Sequence, residues 1–184
     1  MRQLFYDPRK DKDLINTYKD LEKETDRGAA IVFNAYIEDL LREILKRRLI
    51  FDGKKDEIIK SIDNRLTVDE VIKLCYATGT ISKKQRDELA SINRIRNKFA
   101  HRKDIKSFEH SEIKKLCKDL RCLGSEEGLC TRQTYDVVVV YYLQFLKLML
   151  IQTEKIKPAE EKRRVLAGFV TILRPYWEEK KQIF

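Results

Sequence analysis

Three prolines and six glycines are all the chain breakers that 184 residues carry. So few interruptions exclude a collagen-like or Pro/Gly-rich disordered chain and argue against a β-fold built on many tight turns. Cysteine is equally sparse: Cys75, Cys117, Cys122 and Cys130 form no C-x-x-C pair. The first three sit beside Leu74, Leu116 and Leu123 in apolar helical patterns, which predicts inert, semi-buried thiols and no disulfide framework. A zinc site assembled from Cys117, Cys122, Cys130 and His110 fits no ligand template. No metal and no cofactor is expected.

Long apolar runs are missing too. The longest, Val137 to Ile151, is interrupted by Gln144 and Lys147 and falls short of the ~20 residues a bilayer requires. Met1 to Pro8 has no apolar core for a signal peptide. The expectation is a cytoplasmic protein without a membrane. There is no glycine loop for phosphate, no HExxH and no nucleophile elbow.

What remains is charge and helical period. Charged residues make up 38% of the chain, and 39 Lys and Arg against 30 Asp and Glu leave a net charge of +9. That excess permits attraction to nucleic acid or to an anionic protein surface. The spacing predicts a first helix over about 10–23 and a second over about 25–49, with Phe33, Ile37, Leu40, Leu41, Ile44 and Leu45 on one face. A short turn follows at 56–61. Thr67 with Glu70, and Ser82 with Gln85, have the form of capping boxes opening two more helices, the first ending at Gly79. Further helices are expected over about 110–123, from a Thr134 cap to Ile151, and from Pro158 to about Lys180 with a kink at Pro175. Strand alternation is absent. The fold class is all-α, read as one domain over 1–184.

The helix begun at Ser82 ends in Asn93-Arg94-Ile95-Arg96-Asn97-Lys98-Phe99-Ala100-His101-Arg102. Leu89, Ile92, Ile95 and Phe99 share its apolar face, and Arg96 projects between Leu89 and Ile92. A guanidinium there calls for a carboxylate, because an unpaired buried charge is costly. Asp26 lines up with the apolar face of the second helix and is the first expected partner of Arg96, with Glu24 the second. His101 stands about 140° around the helix from Arg96 but follows Asn97 at i+4 and Arg94 at i+7. These three form a polar ridge if the helix stays regular. A histidine there also suits the helix dipole.

Arg96-Asn97-Lys98-Phe99-Ala100-His101 resembles the R-x(4–6)-H signature of HEPN domains. With Glu24-Thr25-Asp26-Arg27-Gly28-Ala29-Ala30, Tyr76-Ala77-Thr78-Gly79-Thr80-Ile81-Ser82 and Ser107-Phe108, the ordered set over residues 24–123 is similar to the mannitol operon repressor family, a branch of that superfamily. The resemblance implies an up-and-down helical bundle that pairs as a homodimer. It also implies a non-catalytic regulatory protein acting on transcription through a protein partner. It fades beyond Leu123, and residues 124–184 are read from their own caps and period as a C-terminal helical pair packed on that bundle. Direct contact with operator DNA is not expected, because no convincing helix-turn-helix is present. The alternative is a metal-independent endoribonuclease of RNA. In that case Arg96 would stabilise the phosphorane, His101 would act as base, and Asn97 would position them at a dimer cleft.

Overall fold

The structure, a computed structural model, describes residues 12–49, 57–120 and 128–154. Among the described residues there are seven helices and no strand: α1 Lys12–Glu22, α2 Asp26–Arg48, α3 Glu57–Asn64, α4 Val68–Ala77, α5 Lys83–His101, α6 Ser111–Cys117 and α7 Thr131–Gln152. The fold is all-α. The helix expected from Pro158, with its kink at Pro175, lies outside the described residues.

Local chemistry sets most boundaries. Thr25 caps α2, its hydroxyl accepting from the Gly28 amide at 3.1 Å. Thr67 with Glu70, and Ser82 with Gln85, each form both bonds of a capping box, so amides left without intrahelical partners are satisfied reciprocally. Gly79 closes α4 at φ 69°, a left-handed conformation costly for any residue with a Cβ. Three boundaries differ from the sequence expectation. The short turn expected at 56–61 is an eight-residue helix that runs on to Asn64. α6 ends at Cys117, after which Lys118 and Asp119 form a turn that buries Leu120. α7 begins at Thr131 because Gln133 accepts from the Cys130 amide, while the Thr134 hydroxyl turns back to the Cys130 carbonyl.

α2 is the central post and packs against α1, α3, α4, α5 and α7. Phe33, Ile37, Leu41, Ile44 and Leu45 are all buried on it. Each such side chain contributes about 1.5–3 kcal/mol of transfer free energy. A continuous aromatic series, Phe99–Phe108–Tyr135–Phe33, ties α5, the following loop, α7 and α2 together with centroid separations of 5.0, 4.7 and 6.4 Å. In contrast to the short apolar run expected over 137–151, α7 spans 22 residues and by length and composition alone is long and apolar enough to cross a membrane, with a third of that stretch buried in the bundle. Tyr135, Val138, Val139, Tyr142, Leu143 and Leu146 form its buried face.

Arginines of α2 also terminate other elements. Arg27 donates to the carbonyls of Arg102 (2.7 Å) and Ile105 (2.9 Å). Arg42 bonds the carbonyls of Ile62 and Leu66. Arg47 reaches Leu150 at 2.9 Å, and Arg48 reaches Glu154 at 3.0 Å. Carbonyls at chain ends need donors, and the forked guanidinium can serve two at once.

Candidate functional site

The site to be judged is the C-terminal half of α5. The capping box at Ser82 starts the helix, and the Arg102 amide closes it on the Lys98 carbonyl at 3.0 Å. Between these points α5 is an unbroken α-helix. Leu89, Ile92, Ile95 and Phe99 are buried, as their spacing predicts. Regularity to the last residue leaves Arg94 and His101 exposed and Arg96 and Asn97 half-buried. The ridge of Arg94, Asn97 and His101 is therefore present, and Arg96 leaves the helix about 140° away from His101.

Arg96 donates to Asn97 Oδ1 at 2.8 Å. The carboxylates expected to meet it are engaged elsewhere. Asp26 Oδ1 accepts from Arg132 Nη1 at 2.8 Å, and Asp26 Oδ2 accepts from the Phe108 amide at 2.9 Å. The Asp26–Arg96 pairing is thus replaced by Asp26–Arg132. Asp26 is the first residue of α2, where α7 and the loop after α5 come together, so both of its oxygens find donors there. Glu24 is exposed, with no ion pair to Arg96 among the described residues; its carboxyl lies over Gly28, where a Cβ would meet Oε2 at 2.3 Å. Arg96 needs no buried carboxylate because it is only half-buried and its tip meets a neutral amide at the helix surface.

Arg132 is the residue the sequence did not single out. It bonds Asp26 and Asp136, reaches toward the Leu21 carbonyl at 3.4 Å, and stands 5.5 Å above the Phe108 ring. Burial pushes the Asp136 carboxyl up from its ordinary range even though Arg132 pulls it down. The i,i+4 spacing of Arg132 and Asp136 was readable; the partner 106 residues away was not.

A second charged set fixes the end of α5. Lys98 and Arg102 both hold Glu112 of α6, and Arg102 also holds Asp104 at 2.6 Å. Hydrogen bonds from Lys98 and Arg102 keep the Glu112 carboxyl below its ordinary range, and Arg102 does the same for Asp104. His110 caps α6, its Nδ1 accepting from the Glu112 amide at 3.3 Å. Burial pushes the thiols of Cys75 and Cys117 up to about 12, so neither is a nucleophile at neutral pH. Among the described residues no group of three or more His, Cys, Asp or Glu side chains comes together as a metal site.

The chain matches no protein-family model, no curated protein and no solved structure.

Proposed function

We propose that this chain is a non-catalytic helical regulator of transcription, of the kind its motif set resembles in mannitol operon repressors, acting in the cytoplasm as a homodimer through a protein partner. The observation that carries this reading is the divergence of Arg96 and His101. On one unbroken helix their side chains leave about 140° apart, and Arg96 is taken up by Asn97 at 2.8 Å. A base and a phosphorane-stabilising cation must converge within hydrogen-bond reach of one substrate, and within a single copy of this chain these two diverge. Exposed Val137 and Ile151 on α7 support self-association, since apolar side chains outside the core favour a symmetric contact. Direct operator reading has less support, because α4 and α5 spend Val71, Ile72, Leu89, Ile92 and Ile95 on the core.

The second reading is the metal-independent endoribonuclease. What favours it is the Arg96–Asn97 bond placed one turn before the exposed His101, which leaves the imidazole open to an Arg96 contributed by another copy. Structured and single-stranded RNA incubated with purified protein in excess chelator separates the two readings. The regulator leaves RNA intact. Cleavage by the wild type that disappears in His101→Ala would establish the nuclease.

A further inference from the structure

The chain's positive charge is concentrated. Between residues 83 and 117, eleven Lys and Arg stand against five Asp and Glu, so +6 of the net +9 falls on α5, α6 and their connection. One of the five acids, Glu88, is buried and accepts from the Tyr142 hydroxyl, which leaves four at the surface. On the outward side of α5, Arg86, Ala90, Arg94, Asn97 and His101 follow one another at steps of three and four, forming a single stripe about 22 Å long. Tyr76 of α4, 40% exposed, lies beneath its first member, with the Arg86 guanidinium 4.7 Å from the ring centroid. Arg94 bonds only within its own helix, to Ser91 Oγ at 3.0 Å and the Ala90 carbonyl at 3.4 Å, and has no ion pair among the described residues.

We propose that this stripe, Tyr76–Arg86–Ala90–Arg94–Asn97–His101, is the docking face for an acidic segment of a protein partner. The inference rests on the regulatory reading above and names the chemistry of the partner. Tyrosine and arginine are the residue types that anchor protein interfaces, and Ala90 leaves a shallow place where another backbone can approach. The helix is capped at both ends and its C-terminus is clamped by Arg27, so the face is organised before binding.

Charge decides among occupants. A second copy would bring the same cations against themselves, which is repulsive. A phosphodiester chain carries evenly spaced charge of one sign. It would meet Asp87, paired with Arg86 at the start of the stripe, and at the end of α5 the acids that Lys98 and Arg102 already hold. A protein segment can place carboxylates at Arg94 and His101 and neutral or basic groups beside those acids, matching an alternating pattern.

Fluorescence anisotropy at low salt tests this, using as probe a labelled helical peptide about four turns long, net acidic, with Glu residues separated by Lys and Ala, and single-stranded RNA and duplex DNA as competitors. The expected result is peptide binding that falls about tenfold or more in Arg94→Glu, equivalent to ~1.4 kcal/mol. Lys118→Glu, the same charge change on the cleft beside α7, should leave binding unaltered. The proposal is overturned if the peptide does not bind, if both variants weaken it equally, or if RNA or DNA binds the stripe more tightly. Failure here without RNA cleavage removes the acidic partner alone, whereas His101-dependent cleavage removes the regulatory reading itself.

Discussion

Arg132 of α7 and Asp26 of α2 hold each other at 2.8 Å, joining the first turns of two long helices that are far apart in the chain. The same carboxylate accepts the Phe108 amide, so a single side chain fastens α7 and the loop behind α5 to the start of α2. Both groups are mostly shielded, with side-chain exposures of 19% and 28%.

Asp26→Ala should therefore cost about 1–3 kcal/mol, because it leaves a buried-side guanidinium and an amide short of an acceptor. Arg96→Ala, whose partner is a surface amide, should cost less than about 1 kcal/mol. Urea unfolding followed by circular dichroism compares the two. Equal losses, or a larger loss for Arg96→Ala, would restore Arg96 as the central pair of the fold.

Two glycines should respond in opposite directions. Gly79 has φ 69° and open space around it, so Gly79→Ala meets backbone strain of about 1–2 kcal/mol. At Gly28 a Cβ meets the tip of the exposed, flexible Glu24 side chain and, at 3.3 Å, the Thr25 hydroxyl that caps α2, which has to give by a few tenths of an ångström. Glu24 can swing away, and the gain in helix propensity should stabilise Gly28→Ala by up to about 1 kcal/mol. Thermal melts of both variants check the signs.

Acid should weaken the α5–α6 junction through Glu112. Its carboxyl lies below the ordinary 4.5 because Lys98 and Arg102 bond it. A depressed folded-state value means the stabilisation is complete above 4.5 and is lost as pH falls through the lower, folded value. Glu112→Gln should flatten the decline in melting temperature over that acid range. Because the pair is exposed, the difference should shrink in high salt.

Thiol labelling should be ordered. Cys130 is exposed, while Cys75 and Cys117 are buried and hard to ionise. Peptide mapping after brief alkylation of native protein should find the Cys130 peptide modified and the other two protected until denaturant is added. Early modification of Cys117 would mean that the α6–α7 contact opens readily.

How much of this was legible follows the range of each interaction. The boxes at Thr67 and Ser82 and the buried row Leu89, Ile92, Ile95 and Phe99 are set by residues three or four apart, and the chain spells them out. The start of α7 was displaced by one turn because Gln133 serves the Cys130 amide, which left Thr134 free to bond backward. Asp26 was recognisable as a polar residue on an apolar face. Its partner depends on which helix end arrives opposite it, and helical periodicity carries no such information. Arg96 satisfies itself on the adjacent side chain, the shortest range of all, which a search for distant carboxylates overlooks.

The arginines of α2 have a consequence for substitution. Arg27, Arg42, Arg47 and Arg48 finish segments whose own sequences lack a complete stop signal, so the end points of α3, α5 and α7 are encoded partly in α2. Lysine at Arg27, Arg42 or Arg48 would preserve the net charge and much of the helix propensity, yet a point-like ammonium cannot span two carbonyls as a planar fork does. Variation that looks neutral by charge within this one helix would register as fraying in segments up to a hundred residues away.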